Sequence, residues 1–373
     1  MKIAYLAATV IPSRTANSIH IMKMCQAFAQ LGHDTWLSAR VVPSQKHDVF
    51  DYYGIKTKFS VLQKPQVGAV RLSPHVSALI SVLRILPIKP DFVIARDLRG
   101  AYFSSFLGVT TCFEIHGLVW ESGKSKLRLF RNMLHHKGFR ALVVITRTLK
   151  EQYESHFPEL CGKILVLPDG ADPLDGRQAA SPGIAVPGRT NVGYIGHLYK
   201  GKGMEIISKV AGLCPNAHFH IVGGKEEDLN WWKGQMRDVQ NVTFYGFKPH
   251  SSIPGFLNDF DIVLLPNQTE VRANAGAEIG HWTSPLKLFE YMAAGKPIIC
   301  SDLPVLREVV RHGENAHLCP SDKPELWAEA IETIAGDKAY AKKLSIQARH
   351  ELETQYTWAI RAERLIKHYL TFK

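Results

Sequence analysis

The sequence has few cysteines, and no pair of them forms a motif. The six cysteines, at positions 25, 112, 161, 214, 300 and 319, include no C-x-x-C pair and mostly lie in apolar segments. Cysteines scattered in this way are typical of buried thiols in a reducing compartment, and they do not indicate a zinc site.

Long apolar segments are missing as well. The best candidate, 76–88, is interrupted by Arg84, so no run of about 18 apolar residues is available to cross a membrane. The first residues, MKIAYLAA, are too short an apolar stretch for a signal peptide, and polar residues follow too soon. We therefore expect a cytoplasmic protein, for which any contact with the inner face of the cell membrane is peripheral.

Positive charge is concentrated in the first half of the chain. The formal net charge is +11, yet residues 1–180 contain 23 Lys and Arg against 13 Asp and Glu, and the remainder is almost balanced. Solubility alone would not favour one half. The asymmetry therefore predicts an anionic partner for the first half: membrane lipid, a phosphate-bearing acceptor or nucleic acid.

Strands and helices are predicted to alternate in two successive halves of this 373-residue chain. Apolar runs predict strands at 2–8, 35–39, 59–63, 92–95, 111–115, 142–145 and 164–167, and again at 192–195, 218–222, 242–245, 262–265 and 297–301. Segment 169–189, rich in Gly, Pro, Ala and Asp, predicts a linker between them. The alternation predicts an α/β protein with parallel, doubly wound sheets that bind ligands at their carboxyl edges.

The segment 283–302, TSPLKLFEYMAAGKPIICSD, predicts a loop, a helix and a buried strand. Ser284 is the expected N-cap, Pro285 the first helical residue, and Gly295 ends the helix. The backbone N–H groups and positive dipole at this N-terminus predict a phosphate site at Ser284, Leu286 and Lys287. An ordinary crossover helix in a parallel sheet fits the same residues.

The sequence EYMAAGKPI at 290–298 resembles the nucleotide-sugar site of the family 4 retaining glycosyltransferases, which have the GT-B fold of two Rossmann-like domains facing a cleft. PDGAD at 168–172 resembles the end of that family's first domain, and YTWAIRAERLIKHYL resembles its final helix. The resemblance implies an N-terminal acceptor domain at 1–175, a C-terminal donor domain at 188–355, and a helix within 356–373 that crosses back onto the first domain.

Two family glutamates stand eight positions apart. Glu290 matches the second, which holds the nucleotide ribose, whereas Trp282 stands where the first, which faces the donor sugar, would be. The resemblance therefore leaves the sugar-facing residue open. The long loop 267–283 offers four candidates: Glu270, Arg272, Glu278 and His281.

The turn GHLYKGKG at 196–203 follows the first strand of the second half and fails the spacing of a P-loop. A glycine-rich turn of this kind brings backbone N–H groups against a diphosphate. The family has an arginine and a lysine here on the donor diphosphate: Lys202 matches the lysine, and His197 replaces the arginine. Lys200 or Lys287 is expected to supply the missing charge. A surface turn with incidental lysines is the alternative.

Three further segments match the family's site. In FEIHG at 113–117, His116 ends an apolar strand, and the resemblance places it beside the donor sugar and the reaction centre. Gly223 corresponds to a turn that lines the nucleotide pocket. The sequence PSRTANSI corresponds to a loop beneath the diphosphate and near the acceptor, with Ser13, Asn17 and Ser18 as the polar groups. For the first segment a structural histidine is the alternative, but the position of His116 at the carboxyl edge of a strand favours function. For the last segment a plain helix N-cap explains the residues almost as well.

Segment 124–140 contains six Lys or Arg and two His along an apolar stripe, a pattern typical of a basic amphipathic helix on an anionic membrane. A core-packed helix with a solvated basic face fits it equally.

These features predict a retaining glycosyltransferase that moves a sugar from a nucleotide-diphosphate sugar to a glycan or lipid-linked acceptor in surface polysaccharide biosynthesis. No cofactor or metal is expected, because there is no D-x-D motif in the family's place and the diphosphate site is basic. His116 and Lys202 are the predicted catalytic residues. The alternatives are a nucleotide-sugar 2-epimerase of the same architecture and a non-catalytic protein that binds an anionic ligand. Nucleic acid is disfavoured, because the phosphate-compatible turns lie in the neutral half.

Overall fold

The computed structural model describes residues 1–42, 48–63, 73–174, 180–271 and 280–371. The chain divides into two compact units: Met1–Pro168 together with Trp358–Lys373, and Asp169–Thr357. The boundaries therefore lie at Pro168 and Thr357, and segment 169–189, which the sequence marked as a linker, belongs to the second unit. Asp259 anchors part of it there, because its carboxylate accepts the N–H of Ile184 at 2.9 Å.

A seven-stranded parallel sheet in the order β3-β2-β1-β4-β5-β6-β7 forms the centre of the first unit. Its elements are β1 (Lys2–Ile11), α1 (Ala16–Gln30), β2 (Asp34–Val41), α2 (Val49–Tyr52), β3 (Ser60–Gln63), α3 (Pro74–Ile85), β4 (Phe92–Ala95), α4 (Leu98–Phe106), β5 (Thr111–Ile115), α5 (Lys124–Leu134), β6 (Phe139–Val144), α6 (Arg147–His156) and β7 (Ile164–Val166). The strand order reverses between β1 and β4, which is where doubly wound sheets bind ligands.

A six-stranded parallel sheet in the order β10-β9-β8-β11-β12-β13 forms the centre of the second unit. Its elements are β8 (Thr190–Gly196), α7 (Met204–Leu213), β9 (Ala217–Gly223), α8 (Glu226–Gln235), β10 (Val242–Gly246), α9 (Ile253–Asn258), β11 (Ile262–Leu265), α10 (Leu286–Ala293), β12 (Ile298–Ser301), β13 (His317–Cys319), α11 (Pro324–Gly336) and α12 (Lys338–Glu351). Here the order reverses between β8 and β11.

The predicted α/β architecture is confirmed. It could be predicted because the central strands are continuous apolar runs. Every residue of β4, β11 and β12 is buried, as expected for strands covered by helices on both faces. The strand β13 was missed, because its three residues begin with a histidine and do not form an apolar run like that of the equally short β7. The basic helix expected within 124–140 covers only Lys124–Leu134.

The C-terminal helix α13 (Trp358–Thr371) belongs to the first unit and packs on α1. The ring of Tyr369 stacks on Phe92 with a centroid distance of 4.8 Å, and its hydroxyl donates to the carbonyl oxygen of Asp91 at 3.0 Å. All six cysteines are free thiols, and only Cys161 is exposed. Among the described residues, no helix combines the length and the apolar character needed to cross a membrane.

Candidate functional site

The carboxyl ends of β8 and β9 approach each other closely in the second unit. Gly223 has a φ of +118°, and a Cβ atom there would lie 2.1 Å from the carbonyl oxygen of Gly196. Both the backbone conformation and the space therefore require glycine at position 223. This contact lies at the carboxyl edge of the sheet, beside the point where the strand order reverses between β8 and β11. The sequence predicted a nucleotide pocket at this edge.

Two side chains of the second unit, Tyr194 and Glu205, bind the backbone of the glycine-rich turn 196–203. The Tyr194 hydroxyl lies 2.7 Å from the carbonyl oxygen of His197 and 3.0 Å from that of Lys202. The Glu205 carboxylate accepts the N–H groups of Gly201 at 2.9 Å and Gly203 at 3.3 Å. These two amides are therefore already bonded, and the turn offers the Lys202 side chain, rather than those amides, to an anion.

A second lysine lies at the same edge. The Nζ atom of Lys287 is buried and has no hydrogen-bond partner among the described residues. It lies 4.0 Å from the centroid of the Tyr194 ring, and a Cβ atom on Gly196 would come within 3.2 Å of it. Its helix, α10, is tied to β8 because the Tyr291 hydroxyl accepts the N–H of Ile195 at 2.9 Å.

Burial makes both lysines easier to deprotonate. It lowers the pKa of Lys202 to about 8, and burial together with the charge of Lys202 lowers the pKa of Lys287 well below its ordinary value. Desolvation penalises a charged ammonium unless an anion accompanies it. The two lysines therefore form a cationic pair that an anionic ligand would stabilise.

His197 does not replace the charge of an arginine. Burial, followed by the charges of Lys202 and Lys287, lowers the pKa of His197 below 6.5, so its ring is neutral at pH 7. Lys200 is exposed to solvent. Of the residues considered from sequence, Lys287 is the one placed to supply the second charge.

The predicted cap of α10 is wrong. The Ser284 hydroxyl accepts the N–H of Asp169 at 3.0 Å, and α10 begins at Leu286 with an extended Pro285 before it and no side-chain cap. The local pattern predicted that the Ser284 hydroxyl would cap α10, but this hydroxyl binds Asp169, which is distant in sequence. The N–H groups of Leu286 and Lys287 find no acceptor in the described part of the chain, so they remain available to a ligand.

Glu290 has a partner that the sequence did not predict. Its Oε1 atom lies 2.7 Å from Nε2 of His250, and each side chain is about one-fifth exposed. His250 follows β10 in the segment GFKPH, and its position in the loop after a strand was the available signal. Its second oxygen has no hydrogen-bond donor among the described residues.

A buried tryptophan, Trp282, stands where the family has its first glutamate. Trp282 is buried in a short 3-10 helix, and its Nε1 has no partner in the described residues. Glu270 and His281 are exposed, while Arg272 and Glu278 lie outside the described residues. Asn267, which sequence reasoning overlooked, is fully buried just beyond β11, and neither atom of its amide has a hydrogen-bond partner there.

In the first unit, His116 follows β5 and is about one-fifth exposed. Its Nε2 lies 2.7 Å from Oε1 of Glu114, a fully buried carboxylate on the same strand. Side chains two residues apart on a strand lie on the same face, so the alternation in FEIHG could have revealed this pair.

The β1–α1 loop uses most of its polar groups internally. The Ser18 hydroxyl donates to the carbonyl oxygens of Ser13 and Thr15 at 3.0 and 2.8 Å, and Thr15, rather than a later residue, caps α1. The Ser13 hydroxyl lies 3.0 Å from that of Thr15. In the described part of the chain, the Asn17 Oδ1 atom is the one side-chain polar atom of this loop that is buried without a partner. An amide oxygen accepts from hydroxyl groups rather than from phosphate.

The basic helix packs its apolar side into the first unit. Phe130, Met133 and Leu134 of α5 are buried, whereas the four basic side chains of this helix are exposed: Lys124, Lys126, Arg128 and Arg131. These three apolar residues are therefore part of the core and are not available for insertion into a bilayer, whereas Leu127 and Leu129 are half-buried. What α5 presents to solvent is charge.

Comparison with known proteins was consistent with these features. Residues 189–337 match the family described as "Glycosyl transferases group 1". The chain is 28% identical over 152 residues to a phosphatidyl-myo-inositol mannosyltransferase of Mycobacterium leprae, a match that covers 40% of this chain and 37% of that protein.

Two solved structures share the fold over the full length. Alr3699/HepE of Anabaena, solved in complex with UDP-glucose, aligns with a TM-score of 0.73 and 17% identity and covers 100% of both chains. Sucrose-phosphate synthase of Thermosynechococcus elongatus aligns with a TM-score of 0.72 and 15% identity, covering 100% of this chain and 98% of that one. The chain therefore has the GT-B fold.

Proposed function

Since residues 189–337 match the glycosyl transferases group 1 and the whole chain has the GT-B fold, we propose that this protein is a retaining glycosyltransferase. It moves a sugar from a nucleotide-diphosphate sugar to a glycan or lipid-linked acceptor, in the biosynthesis of a surface polysaccharide. The mannosyltransferase similarity and the UDP-glucose complex of the Anabaena protein support this class of reaction.

The observation that carries the proposal is the pair of half-buried lysines in the second unit, Lys202 and Lys287, of which the second has a buried Nζ atom. Lys287 has no hydrogen-bonding partner among the described residues, and the pKa of Lys202 is lowered to about 8 by burial. A protein keeps such groups where a ligand compensates for them. A diphosphate at the carboxyl edge of β8 would do so, with the N–H groups of Leu286 and Lys287 adding donors at the N-terminus of α10.

The same pair accounts for the chemistry. The leaving group of sugar transfer is a nucleoside diphosphate, and charge develops on its terminal phosphate as the glycosidic bond breaks. Lys202 and Lys287 are proposed to stabilise that charge directly, which removes the need for a divalent metal. Glu290 is proposed to accept from the ribose hydroxyls, and His116 of the first unit is proposed to act on the transferred sugar.

The first unit is proposed to receive the acceptor at an anionic membrane surface. The helix α5, with its exposed cations, packs against α4, and at the end of α4 Phe106 is 65% and Leu107 is 43% exposed. The Phe106 ring lies 5.5 Å from that of His136, just beyond α5. Cations around exposed aromatic and aliphatic groups are the combination that holds a peripheral protein on anionic lipid.

The proposal is tested with the purified full-length protein and a panel of nucleoside diphosphates and nucleotide sugars. A cognate donor should raise the thermal unfolding temperature, and NMR with a glycan or lipid acceptor should then show a product that keeps the anomeric configuration of the donor. Formation of a C2 epimer without any acceptor would indicate the epimerase instead. Stabilisation without turnover would indicate a binding protein.

A further inference from the structure

A single carboxylate oxygen organises the carboxyl edge of the first unit. Oε1 of Glu114 lies 2.7 Å from Nε2 of His116, 2.9 Å from Nε2 of His20 and 2.9 Å from a guanidinium nitrogen of Arg361. These residues come from β5, α1 and α13, and all except His116 are buried. The other oxygen, Oε2, is buried without a hydrogen bond within the described residues.

This arrangement differs from a simple buried ion pair. An arginine that serves only to neutralise a carboxylate prefers to bind both of its oxygens. Here one terminal nitrogen of Arg361 donates both to Glu114 and to the carbonyl oxygen of Leu167, at 2.9 and 3.2 Å, and Nε donates to the carbonyl oxygen of Pro168 at 2.9 Å. The other terminal nitrogen is buried and has no partner among the described residues. The guanidinium thus joins the end of β7 to Glu114, and two imidazoles share the oxygen that it contacts.

The ionisation of Glu114 determines the tautomer of His116. Burial alone would raise the pKa of Glu114, but the Arg361 charge, His20 and the hydrogen bond with His116 hold that pKa well below its usual value. An ionised carboxylate only accepts hydrogen bonds, so the Nε2 atom of His116 must carry the proton. The ring is also held in place by the edge of His20, whose centroid is 5.2 Å away.

We propose that Glu114 and Arg361 are positioning residues for His116, and that Arg361 makes α13 a structural part of the catalytic edge. This inference rests on the proposed function, because it assigns His116 to sugar transfer. Glu114 fixes the orientation and tautomer of the ring, and Arg361 keeps Glu114 ionised and in place. Tyr5 on β1 is a further titratable group that interacts electrostatically with Glu114.

The first measurement uses the unmodified protein. The ¹⁵N NMR shifts of its imidazoles, with the His116 signal assigned by its loss in His116→Asn, should show a protonated Nε2. An unprotonated Nε2 would overturn the proposal. This result does not depend on turnover, so it remains decisive even if no nucleotide sugar proves to be a substrate and the proposed function fails.

The second measurement is kinetic and compares Glu114→Gln with Glu351→Gln. Glu351 is an equally buried carboxylate of the second unit, paired with Arg311 and with Asn315 at 2.8 Å, and it lies outside the proposed site. Glu114→Gln should lower kcat by about 10²-fold, as loss of a correctly protonated catalytic group does. It should leave the KM for the donor unchanged, and Glu351→Gln should change neither. Equal loss of kcat in both variants, or unchanged kcat in a folded Glu114→Gln, would overturn it.

Arg361→Lys is the milder variant if Glu114→Gln does not fold. A lysine retains the charge but cannot reach Glu114, Pro168 and Leu167 together. We expect a partial loss of kcat and a second His116 tautomer in the ¹⁵N spectrum. A spectrum and kcat identical to those of the unmodified protein would contradict the role given to α13.

Discussion

The ammonium of Lys287 lies 4.0 Å from the centroid of the Tyr194 ring, whose hydroxyl reaches the carbonyl oxygens at both sides of the glycine-rich turn. One aromatic residue therefore positions the turn and supports the cation beside it. Cation–π attraction stabilises the ammonium by about 0.5–2 kcal/mol, which is less than the desolvation it offsets. The remaining imbalance is what an anionic ligand would correct.

Replacing Lys202 with Met should weaken binding of a nucleoside diphosphate by on the order of 10- to 100-fold, because a charge-assisted contact of about 1.5–3 kcal/mol is lost. Calorimetric titration measures the change. Lys200→Met is the matched control, since this exposed lysine of the same turn should have no effect. Equal weakening in both variants would mean that the turn contributes only general positive charge.

The affinity for nucleoside diphosphate should fall as the pH rises above about 8. Burial lowers the pKa of Lys202 to about 8, so the free protein loses that proton above this pH and must regain it when the anion binds. Affinity should then fall by up to tenfold per pH unit for one such proton. Titrations between pH 7 and 9.5, in buffers of different ionisation enthalpy, measure proton uptake directly. An affinity independent of pH would reject the coupling.

The stability of the ligand-free protein should change with pH in the opposite direction. Unfolded Lys202 regains its ordinary pKa near 10.5, so between about pH 8 and 10.5 the unfolded chain binds more protons than the folded protein. The free energy of unfolding therefore gains a contribution that increases with pH in this window. Lys202→Met should lack this contribution, which denaturant titration of both proteins at pH 8 and 10 would reveal.

Glu290→Gln should separate ribose recognition from phosphate recognition. The charge-assisted bonds to the ribose hydroxyls are lost, so UDP or the cognate nucleoside diphosphate should bind roughly 10- to 100-fold more weakly. Inorganic pyrophosphate, which has no ribose, should bind as before. Parallel loss of both ligands would indicate that Glu290 supports the site only through His250, 2.7 Å away.

Much of this site could be predicted because its elements are local. The apolar runs of β4, β5 and β11 predicted those strands with the bounds that the structure has. The contacts that organise the site are distant in sequence: Arg361 is 247 residues from Glu114, and Asp169 is 115 residues from Ser284. Local pattern assigned Ser284 to a cap for this reason, and it could not indicate that Tyr194 supports Lys287.

Anionic membranes should bind the protein through the exposed cations of α5. Replacing Lys126, Arg128 and Arg131 with Gln should release it from anionic vesicles, because each cation near the surface contributes about 1 kcal/mol. Vesicle sedimentation at low and high salt measures this. The same change at Lys338, Lys342 and Lys343 in the second unit is the control and should have little effect. If the fraction of protein bound to vesicles changes neither with salt nor in the α5 variant, the proposed membrane surface is contradicted.

The central claim is that buried Lys287 binds the donor diphosphate, and the most direct test combines stability and binding in Lys287→Met. Removing an amine whose buried Nζ atom has no hydrogen-bond partner among the described residues should stabilise the ligand-free protein by about 1 kcal/mol or more, while the affinity for the cognate nucleoside diphosphate falls by about 10²-fold. Thermal unfolding with and without ligand measures both changes in one experiment. A variant that is less stable than the unmodified protein, and that binds the ligand equally well, would show that Lys287 is a structural residue and contradict the account.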